Sequence, residues 1–403
     1  MKVLFLGAGA SVPGGYPPGA RLLDAVEDFF AKEVTDGASR EAWGRFTTWR
    51  TEAAEKEATR LLLGSTNPEV VISYMDLVEQ AAESEYIRLE AALRDGLNTL
   101  KRTTDPTAHQ TTYEWILEGQ EAGYRSPDLG VARKVQRARR DLRLSINAFL
   151  EFSHFRDRDR FPSGPEYLAA VMARLTSPSV VITTNYDTLC ERTLLAMGLW
   201  APNDGYGFDV PLVGQRVLDG DHGGAILPTP PAALLVPSAI KVLKLHGSYG
   251  WISRDPVAGP RVMGENDFRT EPRIHLSGGL LYGLLPHEGP LAVPLYDRRE
   301  PTGVHPGEPT LTLPTFMKRV AGPELQSIWA QSAKALGEAE AILIVGASLP
   351  ESDLAVRTLF NPIRLRLAEG KVRVVVQDPS SGAADRWKEV LGNSVEWNPT
   401  PVG

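Results

Sequence analysis

Short runs dominated by apolar and β-branched residues recur at positions 3–6, 180–184, 241–245, 341–345 and 372–376, with a shorter one at 395–397. They lack the strict alternation of a half-exposed strand and predict strands buried on both faces. Between them the apolar spacing changes to three and four residues. Leu22, Leu23, Val26, Phe29 and Phe30 mark a helix within 19–31, and further helices are predicted at 167–175, 188–198, 325–336 (carrying Trp329) and 353–367, the last with Ser352 in the N-cap position. Strands alternating with helices predict an α/β fold built on a parallel sheet flanked by helices.

Two regions break this alternation. From 36 to 165 no strand pattern occurs, and apolar residues such as Leu77, Ala81, Val135, Leu142, Ile146, Phe149 and Leu150 recur at helical intervals among Glu, Arg and Ala. This predicts an inserted helical domain at 36–165, interrupting a sheet domain formed by 1–35 plus 166–403. Residues 200–240 and 255–320 are rich in Pro and Gly and read as long irregular connections or a small second domain. Long connections of this kind are commonly functional or mobile.

Composition narrows the function classes. The chain has 403 residues, 42% of them hydrophobic and 23% charged, with a net charge of −7. That balance argues against direct nucleic-acid binding over the whole surface. One stretch, 131–160, runs the other way, with nine Lys/Arg against four Asp/Glu. It reads as a solvated helix face or as a contact surface for an acidic partner or nucleic acid. The single cysteine, Cys190, excludes an intramolecular disulfide and a four-cysteine zinc site, and it fits a reducing cytoplasm. No apolar run approaches the ~20 residues of a membrane span, and the apolar start of the chain is too short for a signal peptide.

In a parallel sheet, ligands sit at the carboxyl ends of the strands, and here each predicted strand ends in residues suited to one. After 3–6 come Gly7, Ala8, Gly9, Ala10 and Ser11, a phosphate-loop candidate whose glycines would let a pyrophosphate approach the backbone. The same loop also reads as a plain tight turn, because Val12 stands where a third glycine is usual and no acidic strand tip follows about twenty residues on. After 180–184 come Thr184, Asn185, Tyr186 and Asp187, whose amide and carboxylate can bind sugar hydroxyls or a carboxamide. After 241–245 comes His246, followed by Gly247; a neutral imidazole there can act as a general base near pH 7. Gly346 and Ser348 follow 341–345 and can donate to phosphate or ribose, and Asp378 follows 372–376 and can take a ribose or base edge. Neither a Gly-x-Ser-x-Gly elbow nor a Gly-x4-Gly-Lys-Ser/Thr loop is present. His275, His287 and His305 lack metal-ligand spacing, so no metal is expected, and Cys190 reads as a small buried apolar residue.

Gly-Ala-Gly-Ala-Ser (7–11), Thr-Thr-Asn-Tyr-Asp (183–187), Lys-Leu-His-Gly-Ser (244–248) and Gly-Ala-Ser-Leu-Pro-Glu-Ser-Asp (346–353) occur in the order typical of sirtuin-like domains. The chain resembles the bacterial sirtuin-like proteins of antiphage defence. The resemblance covers the sheet at both ends of the chain and leaves out the helical insertion and the Pro/Gly-rich loops. It implies a Rossmann-like domain with NAD as ligand. It implies Asn185 and His246 in the catalytic positions. The loop 7–11 and Ser348 would face phosphates and ribose, with Thr184 and Gly346 also in contact with the nucleotide. Asp187 would lie near the nicotinamide carboxamide, and Asp378 near the adenosine end. Protein deacylases of that family carry a four-cysteine zinc module, which one cysteine cannot supply. The resemblance therefore implies an NAD+ glycohydrolase depleting NAD in defence, as a homo-oligomer or with a partner protein or activating signal. An NAD-dependent deacylase or ADP-ribosyl transferase, and a non-catalytic NAD or ADP-ribose sensor within an assembly, are the alternatives.

Overall fold

The computed structural model describes residues 1–33, 37–55, 68–78, 127–161, 164–175, 179–202, 204–208, 216–217, 225–226, 237–253, 272–274, 309–311, 323–350 and 353–401. Its centre is a six-stranded, wholly parallel sheet made of β1 (Lys2–Leu6), β2 (Ser179–Thr183), β3 (Ile240–Lys244), β5 (Ala341–Val345), β6 (Arg373–Gln377) and β7 (Glu396–Asn398). Across the sheet the order is β3-β2-β1-β5-β6-β7, so the strand order reverses between β1 and β5. That reversal is the topological switch point of a doubly wound α/β domain, the place where such sheets open a crevice. The expected parallel α/β fold is what the chain forms, and the strand bounds differ from those expected by a residue or so.

The strands form where β-branched and aliphatic residues run together, because both faces are covered. Helices α1 (Leu22–Lys32), α4 (Glu166–Met172), α5 (Leu189–Ala196), α6 (Pro323–Glu338), α7 (Leu354–Ala368) and α8 (Ser381–Leu391) flank the sheet. Phe5 of β1 packs edge-on against Phe360 of α7 (centroids 5.1 Å apart), and Phe360 packs in turn on Trp387 of α8 (4.7 Å). Such pairs add to the burial of their own apolar area. The Trp387 indole also donates to the Ala347 carbonyl at 2.7 Å, so a core side chain pins the loop that leaves β5.

The described parts of 36–165 are helical: α2 (Gly37–Ala54), residues 68–78, and the long α3 (Pro127–Arg160). They share the core of α1. Phe30 stacks on Trp43 of α2 (5.7 Å, 11° between planes), and Phe29 meets Phe149 of α3 at 5.9 Å. Arg45 grips Asp141 through two hydrogen bonds of 3.0 and 2.7 Å, which ties α2 to α3.

Three details differ from the sequence expectation. Residues Ala8–Gly14 form a 3-10 segment containing Pro13, and the first α-helix opens only at Leu22. The N-cap of α7 is Asp353, whose carboxylate accepts from Val356 N at 3.2 Å; Ser352, expected in that role, lies outside the described residues. Past His246 the chain runs at once into β4 (Gly247–Ser253), a strand not expected from the sequence and the middle strand of a small antiparallel sheet with Pro272–Ile274 and Pro309–Leu311. Tyr249, Trp251 and Ile252 give that segment the aromatic and β-branched content of a strand. Most of the Pro/Gly-rich stretches 200–240 and 255–320, the position Ala81 expected in a helix, and His275, His287 and His305 lie outside the described residues.

At the switch point the loops after β1 and β5 touch through their backbones. Gly7 N donates to Val345 O (3.0 Å) and Gly9 N to Gly346 O (2.8 Å). Gly346 has φ +59°, and a Cβ there would lie 2.1 Å from Ala10 N. Gly346→Ala is therefore expected to destabilise the chain by about 2 kcal/mol or more in urea unfolding. An unchanged midpoint would mean that the two loops part without cost.

Candidate active site

The site is assembled by register. Thr183 pairs with Leu6 on one side and with Lys244 on the other, and Leu6 pairs with Val345, which pairs with Gln377. One row across the sheet therefore holds the last paired residue of β3, β2, β1, β5 and β6. Every candidate residue at a strand tip lies a few positions beyond that row. Asn185 and His246 each stand two residues past it on adjacent strands, and Leu245 N donates to Thr183 O at 2.9 Å.

Asn185 is held by its amide nitrogen. Nδ2 donates to Gly7 O (3.0 Å) and to Ser11 Oγ (2.9 Å), and its backbone N donates to Thr183 Oγ1 (3.0 Å). A carbonyl oxygen can only accept, so the contact with Gly7 fixes which end of the amide is which. Ser11 passes the chain on by donating to Asp187 Oδ2 at 2.7 Å, and Asp187 Oδ1 accepts from Leu189 N at 3.0 Å at the start of α5. Ser11 and Asp187 are buried, and Asn185 is 9% exposed. The one atom of the amide left over, Asn185 Oδ1, is buried and has no hydrogen-bond partner among the described residues. A buried acceptor without a donor is costly, on the order of 1–3 kcal/mol, and this one is able to take a donor from a water or a ligand.

A cavity of about 10 Å³ borders Asn185, lined also by Ser11, Thr183, Asp187, Cys190 and Lys244. It has room for about one water. His246 is not part of its lining.

Beneath the cavity lies a buried ion pair. Lys244 Nζ stands 2.8 Å from Glu191 Oε1, both side chains are 0% exposed, and Lys244 also donates to the Asp187 carbonyl. Tyr206 donates its hydroxyl to the same Glu191 oxygen at 3.3 Å. Burial pushes the Glu191 carboxyl up from its usual value, against the pull of the Lys244 ammonium. Burial, with Glu191 alongside, also raises the Cys190 thiol well above its ordinary value, so it stays an unreactive neutral thiol as the sequence suggests.

His246 is 6% exposed, and its neighbours among the described residues include the Tyr186 ring, with centroids 6.2 Å apart, and Asp353, whose Oδ2 is 3.9 Å from Nε2. Trp329 donates to the adjacent Leu245 carbonyl at 3.0 Å.

The remaining candidates are placed unevenly. Thr184 N donates to Leu6 O (3.2 Å) and latches the β2 tip to β1. Gly7, Ala8, Gly9 and Ala10 lie in the loop packed on Gly346, with Ala10 O accepting from Tyr167 (2.9 Å). Ser348 is exposed, and its carbonyl accepts from Arg386. Asp378 sits at the β6 tip, two strands from β1, and its Oδ1 already accepts from Ser380 N (2.8 Å). Ser11, Asn185 and Asp187 thus meet in one hydrogen-bonded chain, His246 stands one strand over, and Ser348 and Asp378 line the far side of the switch point. Sequence reading missed Lys244, Glu191 and Asp353. A lysine inside the run Lys241-Val-Leu-Lys-Leu was the available signal for the first. Among the described residues, no group of His, Cys, Asp and Glu could hold a metal ion, and no helix is long and apolar enough to cross a membrane.

Glu191→Gln leaves the Lys244 charge buried without its partner and is expected to cost about 3–5 kcal/mol, measured by denaturant unfolding. Combining Glu191→Leu with Lys244→Met should recover most of that loss, and a single variant as stable as the parent would contradict the ion-pair assignment. Compared with known families and with curated proteins, the chain matches neither a family model nor a curated sequence.

Proposed function

We propose that the chain is an NAD+ glycohydrolase, cleaving the nicotinamide–ribose bond to give nicotinamide and ADP-ribose. One observation carries the reading: a buried carboxamide, Asn185, keeps its oxygen unpartnered at a strand tip beside the switch point, with an imidazole at the same register on the next strand. Depletion of NAD in antiphage defence is the setting that the sirtuin-like motifs imply for this chemistry.

The reaction breaks the bond between the ribose anomeric carbon and the pyridinium nitrogen. The bonding electrons leave with nicotinamide, water adds to the sugar carbon, and one proton is released. The ribose passes through a cation-like state, so the protein must fix its hydroxyls and place the water. Asn185 Oδ1 is suited to accept from a ribose hydroxyl or from the attacking water. Its Nδ2 bonds to Gly7 O and Ser11 Oγ hold that oxygen in place. His246 takes the proton from the hydroxyl or the water, a contribution typically worth ~10²–10⁴ in rate. The space beside Asn185 admits one water, so the dinucleotide would lie over the strand ends and meet Asn185 with one hydroxyl or through that water.

Incubation with NAD+ and chromatographic measurement of nicotinamide test the proposal. Asn185→Ala and His246→Ala should each lower the rate by about 10² or more while unfolding as cooperatively as the parent. Full activity in both variants overturns the assignment. Release that depends strictly on an acyl-peptide would make the protein a transferase, and tight NAD+ binding without turnover would make it a nucleotide sensor.

A further inference from the structure

The loop that leaves β5 brings a carboxylate to the histidine, and this contact belongs to none of the roles assigned so far. We infer that Asp353 is a positioning residue for His246, dividing its two oxygens between the N-terminus of α7 and the imidazole. Oδ1 accepts from Val356 N at 3.2 Å, and Oδ2 lies 3.9 Å from His246 Nε2. Both residues are buried, at 8% and 6% exposure. Because α7 fixes one oxygen, the other cannot swing away without uncapping the helix.

The part of this loop next to β5 is held by two side chains. Arg357 donates to the carbonyls of Leu349 and Pro350, each at 3.3 Å, and the Trp387 indole holds the carbonyl of Ala347. Leu349 takes φ +46°, a left-handed conformation rarely adopted by a branched side chain. Such strain persists where surrounding structure enforces it. The groups facing His246 come from three directions. Asp353 approaches from the β5–α7 loop and the Tyr186 ring from the β2 tip, and β4 leads away behind. Arg143 of α3 and Glu69 of residues 68–78 act on the Tyr186 surroundings. Among the described residues, Asp353 is the charged group shown within ion-pair reach of the imidazole.

The physical consequence follows from the sign of the charge. A carboxylate close to an imidazole stabilises the imidazolium and raises its pKa. At 3.9 Å this effect acts through charge, and it makes His246 the stronger base. The kinetic part of this inference rests on the glycohydrolase reading; the electrostatic part does not.

Asp353→Asn is the direct test, because asparagine caps helices as well as aspartate. Asp353→Ser provides a second capping variant if the first folds poorly. NMR titration of the His246 ring proton in the full chain, assigned by its loss in His246→Gln, reads the pKa without any substrate. We expect that pKa to fall by roughly one unit or more in both variants. A base must be deprotonated to act, so the acidic limb of nicotinamide release should shift to lower pH by the same amount. An unchanged His246 titration in both variants overturns the inference. A lowered pKa in a protein that releases no nicotinamide upholds the positioning role and removes the glycohydrolase reading instead.

Discussion

Thr183 is paired in the sheet on both sides, with Leu6 of β1 and with Lys244 of β3, and the candidate site depends on that row. Side chains alternate faces along a strand, so a slip of one residue would send Asn185 and His246 to the opposite face of the sheet from their present partners. The row is enforced locally. Thr183 Oγ1 bonds Leu6 O, Thr184 N bonds Leu6 O, and Leu245 N bonds Thr183 O. Once the strands end together, the Asn185 amide has little choice but to reach Gly7 and Ser11.

Most polar atoms near the switch point are committed to structure. The amides of Gly7 and Gly9 bond the neighbouring loop, and the glycines themselves are needed because the two backbones nearly touch. Ser11 and Asp187 hold each other, and Asp187 also serves α5. What these contacts leave over, the Asn185 oxygen and the His246–Asp353 pair, is what the proposed chemistry draws on. The Lys244–Glu191 pair has a supporting part. A buried ion pair seldom adds net stability over a well-packed apolar substitute, but this one anchors the carbonyl of Asp187 and so the turn that carries Asn185.

The sheet was legible in the sequence because strands covered on both faces admit little but aliphatic and β-branched residues, as in Ala341-Ile-Leu-Ile-Val. The placement of Asn185 and His246 at strand tips was legible because each ends such a run abruptly. The glycine loop was legible as a turn, but its conversion into a 3-10 segment was not, since Pro13 and the packing against Gly346 decide it together. Glu191 and Asp353 escaped notice because their roles are set by partners on other elements: Lys244 on β3 and His246 beyond it. Asp353 in particular looks like an ordinary residue near a helix start, and only the folded loop shows its second oxygen turned to the imidazole. A four-cysteine zinc module was excluded from composition alone, because the chain has one cysteine, Cys190, and it is buried.

The central claim is that one nicotinamide ribose is gripped between the Asn185 oxygen and the His246 ring. A crystal structure of the chain bound to a non-hydrolysable carbocyclic NAD+ analogue tests it most directly. The expected result is a ribose hydroxyl, or a water bound to one, within hydrogen-bond distance of Asn185 Oδ1, and His246 on the other flank of the sugar. An analogue bound elsewhere on the sheet, with Asn185 Oδ1 still unpartnered, would contradict it.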